Sequence, residues 1–149
     1  MAEVLFYHLT ESKLEDALPP LVDKTVARGW KAVLQFDSEE RRDAADAQLW
    51  TWRDSSFLPH GVDGGPFDER QPVLLTTGTG NPNGANIRFL AGGADIDDVS
   101  PYQRVVVMFD GHDNDQLEKA RGQWKRLSGQ GHQLTYWQQT TQGGWERKA

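Results

Sequence analysis

The run "RVVVMF", Arg104 to Phe109, has no polar position between its ends on either side of an extended chain. A half-exposed strand alternates apolar and polar residues, so an unbroken β-branched run belongs in a sheet covered on both faces. "KAVLQF" (Lys31 to Phe36), "PVLLTT" (Pro72 to Thr77) and "IRFLAG" (Ile87 to Gly92) read the same way, and "VLFYHL" (Val4 to Leu9) is a short β-rich start. Helical signals separate these runs. Ser12 and Glu15 have capping-box spacing, and the main first helix is expected to begin at Pro19-Pro20 and pass through Leu21, Val22, Thr25 and Val26 to a stop at Gly29. Ser38 offers an N-cap to "EERRDAADAQLW", in which Ala44, Ala45 and Leu49 recur at helical spacing and Trp50 falls at the C-terminal end. A last helix is expected over about Asp113 to Ser128, with Leu117, Ala120, Trp124 and Leu127 on one stripe, and "QLTYWQQT" suits a closing strand. Strands alternating with helices predict a single α/β domain over residues 1–149, with a mostly parallel central sheet and helices on both faces. Residues 139–149 are expected to form a loose tail.

Composition excludes several classes of function. With no cysteine in 149 residues, disulfides and thiolate metal sites are unavailable, which fits a reducing cytoplasm. The N-terminal "MAEVLFYHLTESK" lacks a basic segment before its apolar run, and no stretch approaches the roughly eighteen apolar residues of a membrane span. A net charge of −6 argues against direct nucleic-acid binding by the whole surface, since such affinity rests on Lys and Arg neutralising phosphates. Positive charge is nonetheless bunched at Lys119, Arg121, Lys125 and Arg126.

Catalytic and cofactor motifs are missing. "GTGNPNG", Gly78 to Gly84, follows a strand, but it has neither the Gly-x-Gly-x-x-Gly spacing nor the Lys-Ser/Thr ending of a phosphate loop, and strand rather than helix follows it. The sheet therefore resembles a nucleotide-binding fold without its phosphate cradle. His8, His60, His112 and His132 are scattered, with no helical metal-ligand spacing. Asp37, Glu39, Glu40, Asp43 and Asp46 read as a solvated acidic face rather than an acid/base pair. Neither an enzyme nor a bound cofactor or metal is expected.

Binding remains. "LWTWRDSSFLPHG", Leu49 to Gly61, packs two tryptophans, a phenylalanine, a proline and a histidine into a segment with no periodicity that would bury them all. On the last helix Arg121 and Lys125 stand four residues apart at the edge of the apolar stripe, where two cations can hold a carboxylate.

Four segments, "FYHL" at Phe6 to Leu9, "LWTWRDSSFLPHG", "QPVLLTTGTGNPNGA" at Gln71 to Ala85 and "ARGQWKRLSGQGHQLTYWQQ" at Ala120 to Gln139, together resemble the chi-subunit family of the bacterial DNA polymerase III holoenzyme. The resemblance implies a nucleotide-binding-like fold without a phosphate loop and a non-catalytic accessory role in the clamp loader. Any polymerase activity would belong to the assembly. It implies two partners, the acidic, phenylalanine-ended C-terminal tail of single-stranded DNA-binding protein and, on another surface, the psi subunit, so that nucleic acid is contacted only indirectly. It also implies a cytoplasmic, replisome-associated location. By the same resemblance, Trp50, Phe57, Arg121 and Lys125 are the tail-binding residues, while Leu117 stands where the family pattern has a further cation. Two alternatives stay open: a direct single-stranded DNA-binding module stacking bases on the aromatics, and a nucleotide-dependent enzyme of similar fold.

Overall fold

The computed structural model describes residues 2–51 and 60–149. The apolar runs form one eight-stranded sheet: β1 (Glu3–Leu9), β2 (Ala32–Phe36), β3 (Gly61–Val62), β4 (Val73–Thr76), β5 (Ile87–Ala91), β6 (Arg104–Asp110), β7 (Gln133–Gln139) and β8 (Trp145–Arg147). The spatial order is β3-β4-β2-β5-β6-β1-β7-β8. Every described pairing is parallel except β7 with β8, so the sheet is the mostly parallel one expected.

Among the described residues three α-helices cover it: α1 (Leu14–Ala27), α2 (Glu39–Thr51) and α3 (Asn114–Gly129). Leu14, Leu18 and Val22 of α1 and Ala45 and Leu49 of α2 pack with Leu34, Phe36 and Phe89 on one face. Ala120 and Leu127 of α3 pack with Val4, Phe6, Val105 and Val107 on the other. Because successive strand residues point to opposite faces, Val105 and Val107 serve the α3 side while Val106 and Met108 serve the α1/α2 side. The unbroken apolar run of β6 thus feeds two cores at once.

Three expectations are corrected. The first helix begins at Leu14 rather than at Pro19, and both prolines lie inside it. Their lost N–H groups cost two helical hydrogen bonds, but Pro19 is buried against the core, and that packing holds the helix through them. Lys13, not Ser12, is its N-cap, and no side chain caps it. Ser12 is instead tied to Gln139, whose side-chain oxygen accepts the backbone N–H groups of Thr10, Glu11 and Ser12 while its amide donates to Ser12 Oγ at 2.8 Å. Residues 139–149 are not a loose tail: β8 pairs antiparallel with β7, Trp137 opposite Arg147 and Gln139 opposite Trp145, and the Trp145 ring lies 4.7 Å from that of Tyr7. The remaining boundaries agree within about two residues, and Ser38 Oγ accepts the Arg41 N–H at 3.2 Å at the start of α2. No described helix is long and apolar enough to cross a membrane.

Candidate functional site

Parallel α/β sheets bind ligands in the crevice beyond the C-terminal ends of their strands, where successive crossovers leave in opposite directions. Here α2 leaves β2 toward one edge and α3 leaves β6 toward the other. The crevice between them is lined by Asp37, Asp113, Asp115 and Glu118, with Arg41 and Lys119. Four carboxylates would repel a phosphate. Arg41 is already paired with Asp37 at 3.0 Å, and its side chain lies over Gly92, where an added Cβ would come within 2.5 Å of it. At the α3 N-terminus, the Asp113 side chain accepts the N–H groups of Asp115 and Gln116, so the donors that could receive a phosphate are already engaged.

The "GTGNPNG" loop has the wrong polarity for a phosphate as well. Its carbonyls at Gly78 and Gly80 accept hydrogen bonds from Arg88, at 2.7 and 2.9 Å. Arg88 is fully buried and spends its remaining donors on Gln35 Oε1 and the Tyr102 hydroxyl. Burial pulls its pKa below the ordinary guanidinium value, against the opposing influence of Tyr102. A loop that turns carbonyls inward to a cation is not a cradle of N–H groups for an anion. Among the described residues no group of three or more His, Asp or Glu is arranged to hold a metal.

The site with unspent chemistry lies on α3. A groove of about 440 Å³ runs between this helix and the end of the sheet, lined by Phe109, Leu117, Arg121, Trp124, Tyr136 and Ala149. Its walls are a network of rings: Trp124 meets Phe6 edge-on at 5.2 Å and Tyr136 at 5.9 Å, and Phe109 meets Tyr136 at 6.1 Å. Beneath them His8 is fixed by two contacts, its ring stacked 5.0 Å from Phe109 and its Nδ1 2.9 Å from the Tyr136 hydroxyl. Burial pushes the Tyr136 pKa up, partly offset by the positive charge of Arg121. Burial, with His112 next, pushes that of His8 down; Asp110 acts the other way and Arg121 adds to the lowering. The groove floor is therefore neutral and aromatic, and the charge stands at its rim.

The four bunched cations divide. Arg126 is committed to Asp95 by two parallel hydrogen bonds of 2.8 and 2.9 Å, and Lys119 Nζ reaches the Gly93 carbonyl at 3.4 Å. Arg121 and Lys125 are exposed, and among the described residues neither has a carboxylate partner. Their spacing along the helix made this pair legible in the sequence. The groove beneath them was not, because it needs Phe109 from β6 and Tyr136 from β7.

Trp50 lies elsewhere. It ends α2 on the opposite face of the sheet, 54 % exposed, with its ring 4.3 Å from that of His60. Phe67, 59 % exposed in the turn before β4, is the other large apolar side chain left in solvent among the described residues. Phe57 lies outside the described residues. The structure thus places Arg121 in the lining of the groove, with Lys125 one turn further along α3, and puts a whole sheet between them and Trp50.

The structure defines a mostly parallel α/β domain with an acidic strand-end crevice, a loop that turns carbonyls to Arg88 and an aromatic groove with Arg121 in its lining. Residues 1–135 match the family model described as DNA polymerase III chi subunit, HolC. The chain belongs to that family. It is also 22% identical over 156 residues to a protein of Rickettsia prowazekii (strain Madrid E) named probable DNA polymerase III subunit chi, an alignment covering 100% of this chain and 93% of that one.

Proposed function

We propose that the chain is a non-catalytic adaptor of the DNA polymerase III clamp loader, acting in the cytoplasm during replication. It holds the C-terminal tail of single-stranded DNA-binding protein in the α3 groove and the psi subunit on a separate surface. The observation that carries this reading is the juxtaposition of Arg121, which has no carboxylate partner among the described residues, with an aromatic groove, Lys125 following one turn along α3, on a protein whose net charge is −6. A peptide ending in phenylalanine has the complementary chemistry. Its ring fits against Trp124, Tyr136 and Leu117, its terminal carboxylate suits Arg121 in a charge-assisted hydrogen bond, and acidic residues upstream suit Lys125. Leu117 in place of a cation makes the rim more apolar and less charged.

Trp50, another of the residues implied by the family resemblance, divides from this groove, and Phe57 lies outside the described residues. Trp50 on the far face cannot touch the same docked side chain as Arg121. Its exposed ring suits the second partner, psi. Two partners on opposite faces can then be held at once, which is what an adaptor requires. Short tails bury little area, so single contacts have dissociation constants of order 10⁻⁶ to 10⁻⁵ M, and many tails on one coated strand raise the effective strength.

The test is calorimetric titration with a nonapeptide copying the C-terminus of the cognate single-stranded DNA-binding protein, beside the same peptide without its final phenylalanine. Micromolar binding that is lost on truncation supports the adaptor reading. Absence of binding by either peptide refutes it.

A further inference from the structure

A second cavity opens on the other face of the sheet, beneath the last turns of α1, with a volume of about 220 Å³. Its floor is aliphatic and aromatic: Leu5 from β1, Leu21 from α1, Ile87 and Phe89 from β5 and Val106 from β6. Its rim is cationic. Lys24 and Arg28 come from α1 and its C-cap, and Arg104 comes from β6. Both guanidiniums lie against the Trp30 ring, Arg28 at 5.0 Å and Arg104 at 5.4 Å from its centre, which orders them while leaving their N–H edges available.

Charge and hydrogen bonding around this cavity do not balance. Arg104 is paired with Glu3 at 3.0 Å, but among the described residues Lys24 and Arg28 have no carboxylate partner. The Tyr7 hydroxyl and the Trp30 indole N–H, both on half-buried residues lining the cavity, also make no hydrogen bond to another described residue. Burial raises the pKa of Tyr7, which keeps its hydroxyl a donor. The helix dipole favours Lys24 and Arg28 near the end of α1, and Glu3 balances Arg104, but neither engages the donors on Tyr7 and Trp30. What Lys24, Arg28 and these two donors lack among the described residues is an acceptor with negative charge.

We infer that this cavity binds a small organic acid, its apolar body on the Leu5, Ile87 and Val106 floor and its carboxylate at the Arg28 and Lys24 rim. The Leu5, Leu21, Ile87, Phe89 and Val106 side chains of the floor carry no polar atom, so a polar ring such as a nucleobase is disfavoured there. Its volume of about 220 Å³, open to solvent at the polar rim, holds a ligand of at most roughly nine or ten heavy atoms. Medium-chain fatty acids and phenyl-substituted short acids have that size. The site is independent of the α3 groove, which lies on the opposite face.

Titration of the full chain with octanoate, followed by calorimetry and by ¹H–¹⁵N amide shifts, tests this, with 1-octanol as the uncharged comparator. The expected result is saturable binding with a dissociation constant of order 10⁻⁴ M, and shifts centred on Tyr7, Leu21 and Trp30. Octanol and the Arg28→Gln variant should each bind about tenfold more weakly; Arg28 is exposed, so this variant retains the fold. Equal binding of octanol, unchanged binding by Arg28→Gln, shifts centred on Trp124, or no saturation by about 10 mM would each overturn the inference. None of these results bears on tail binding at Arg121.

Discussion

His8 Nδ1 and the Tyr136 hydroxyl lie 2.9 Å apart, so the ring that forms the groove floor is held by a titratable group from the neighbouring strand. His8 has its pKa lowered chiefly by burial, so the unfolded chain binds this proton more readily than the folded one. The stability His8 allows is complete above the unfolded value near 6.5 and falls as pH drops below it toward the folded pKa. The urea midpoint should therefore be lower at pH 5.5 than at pH 7.5, and His8→Gln should flatten that slope. A slope unchanged by the substitution would mean that other groups carry it.

Arg88 leaves four acceptors behind when it is removed: Gln35 Oε1, Gly78 O, Gly80 O and Tyr102 Oη. Each acceptor stranded away from water costs about 1 to 3 kcal/mol, offset in part because a buried charge is no longer carried. Arg88→Met should lower stability by about 3 kcal/mol in urea denaturation and speed amide exchange in residues 78–84. A loss below about 1 kcal/mol would show that the loop holds its shape without the guanidinium.

Asp95 accepts both Arg126 hydrogen bonds, one from Gln123 and one from the Ile96 N–H. Burial alone would raise its pKa, but the donors from Arg126, Gln123 and Ile96 together outweigh burial and hold it below the ordinary carboxylate value. The contribution is present above the unfolded pKa of about 3.9 and is lost as pH falls through the lower folded value. Because Asp95 is 43% exposed, solvent screening limits its worth, and Asp95→Asn should cost about 1 kcal/mol by thermal or urea unfolding at neutral pH.

Arg121 and Trp50 should separate in binding assays. Arg121→Ala should weaken the tail peptide by about 1 to 3 kcal/mol through loss of a charged hydrogen bond, and Lys125→Ala by less, since it faces only the upstream acidic residues. Trp50→Ala should leave tail affinity unchanged and weaken psi. The reverse pattern, tail binding sensitive to Trp50 and not to Arg121, would move the carboxylate site across the sheet.

Local periodicity was enough to place most of the fold. β2, β4, β5 and β6 are buried along nearly their whole length and mostly apolar because both faces of the sheet are covered, and the four-residue spacing of Arg121 and Lys125 put both at the edge of one apolar stripe. These signals need only neighbours in the chain. β3 and β8 escaped that reading because, at two and three residues, they are too short to show alternation, and pairing with a longer neighbour makes them strands. Pro19 and Pro20 mark a helix start locally, yet packing of α1 on the sheet carries the helix through them.

The sequence by itself determined the α/β class, the absence of a phosphate loop and the cationic edge of α3, because each is written in residue type and spacing along a single segment. Only the tertiary structure decided which residues share a site. It turned Arg88 into the anchor of the Gly78 to Gly84 loop, brought Phe109 and Tyr136 under Arg121, and set Trp50 apart on the far face. The physical reason is that the hand of a crossover, not the local sequence, sets the face on which a helix lies. β2 to α2 and β6 to α3 run toward opposite edges of the sheet, so right-handed connections put the two helices on opposite sides of it.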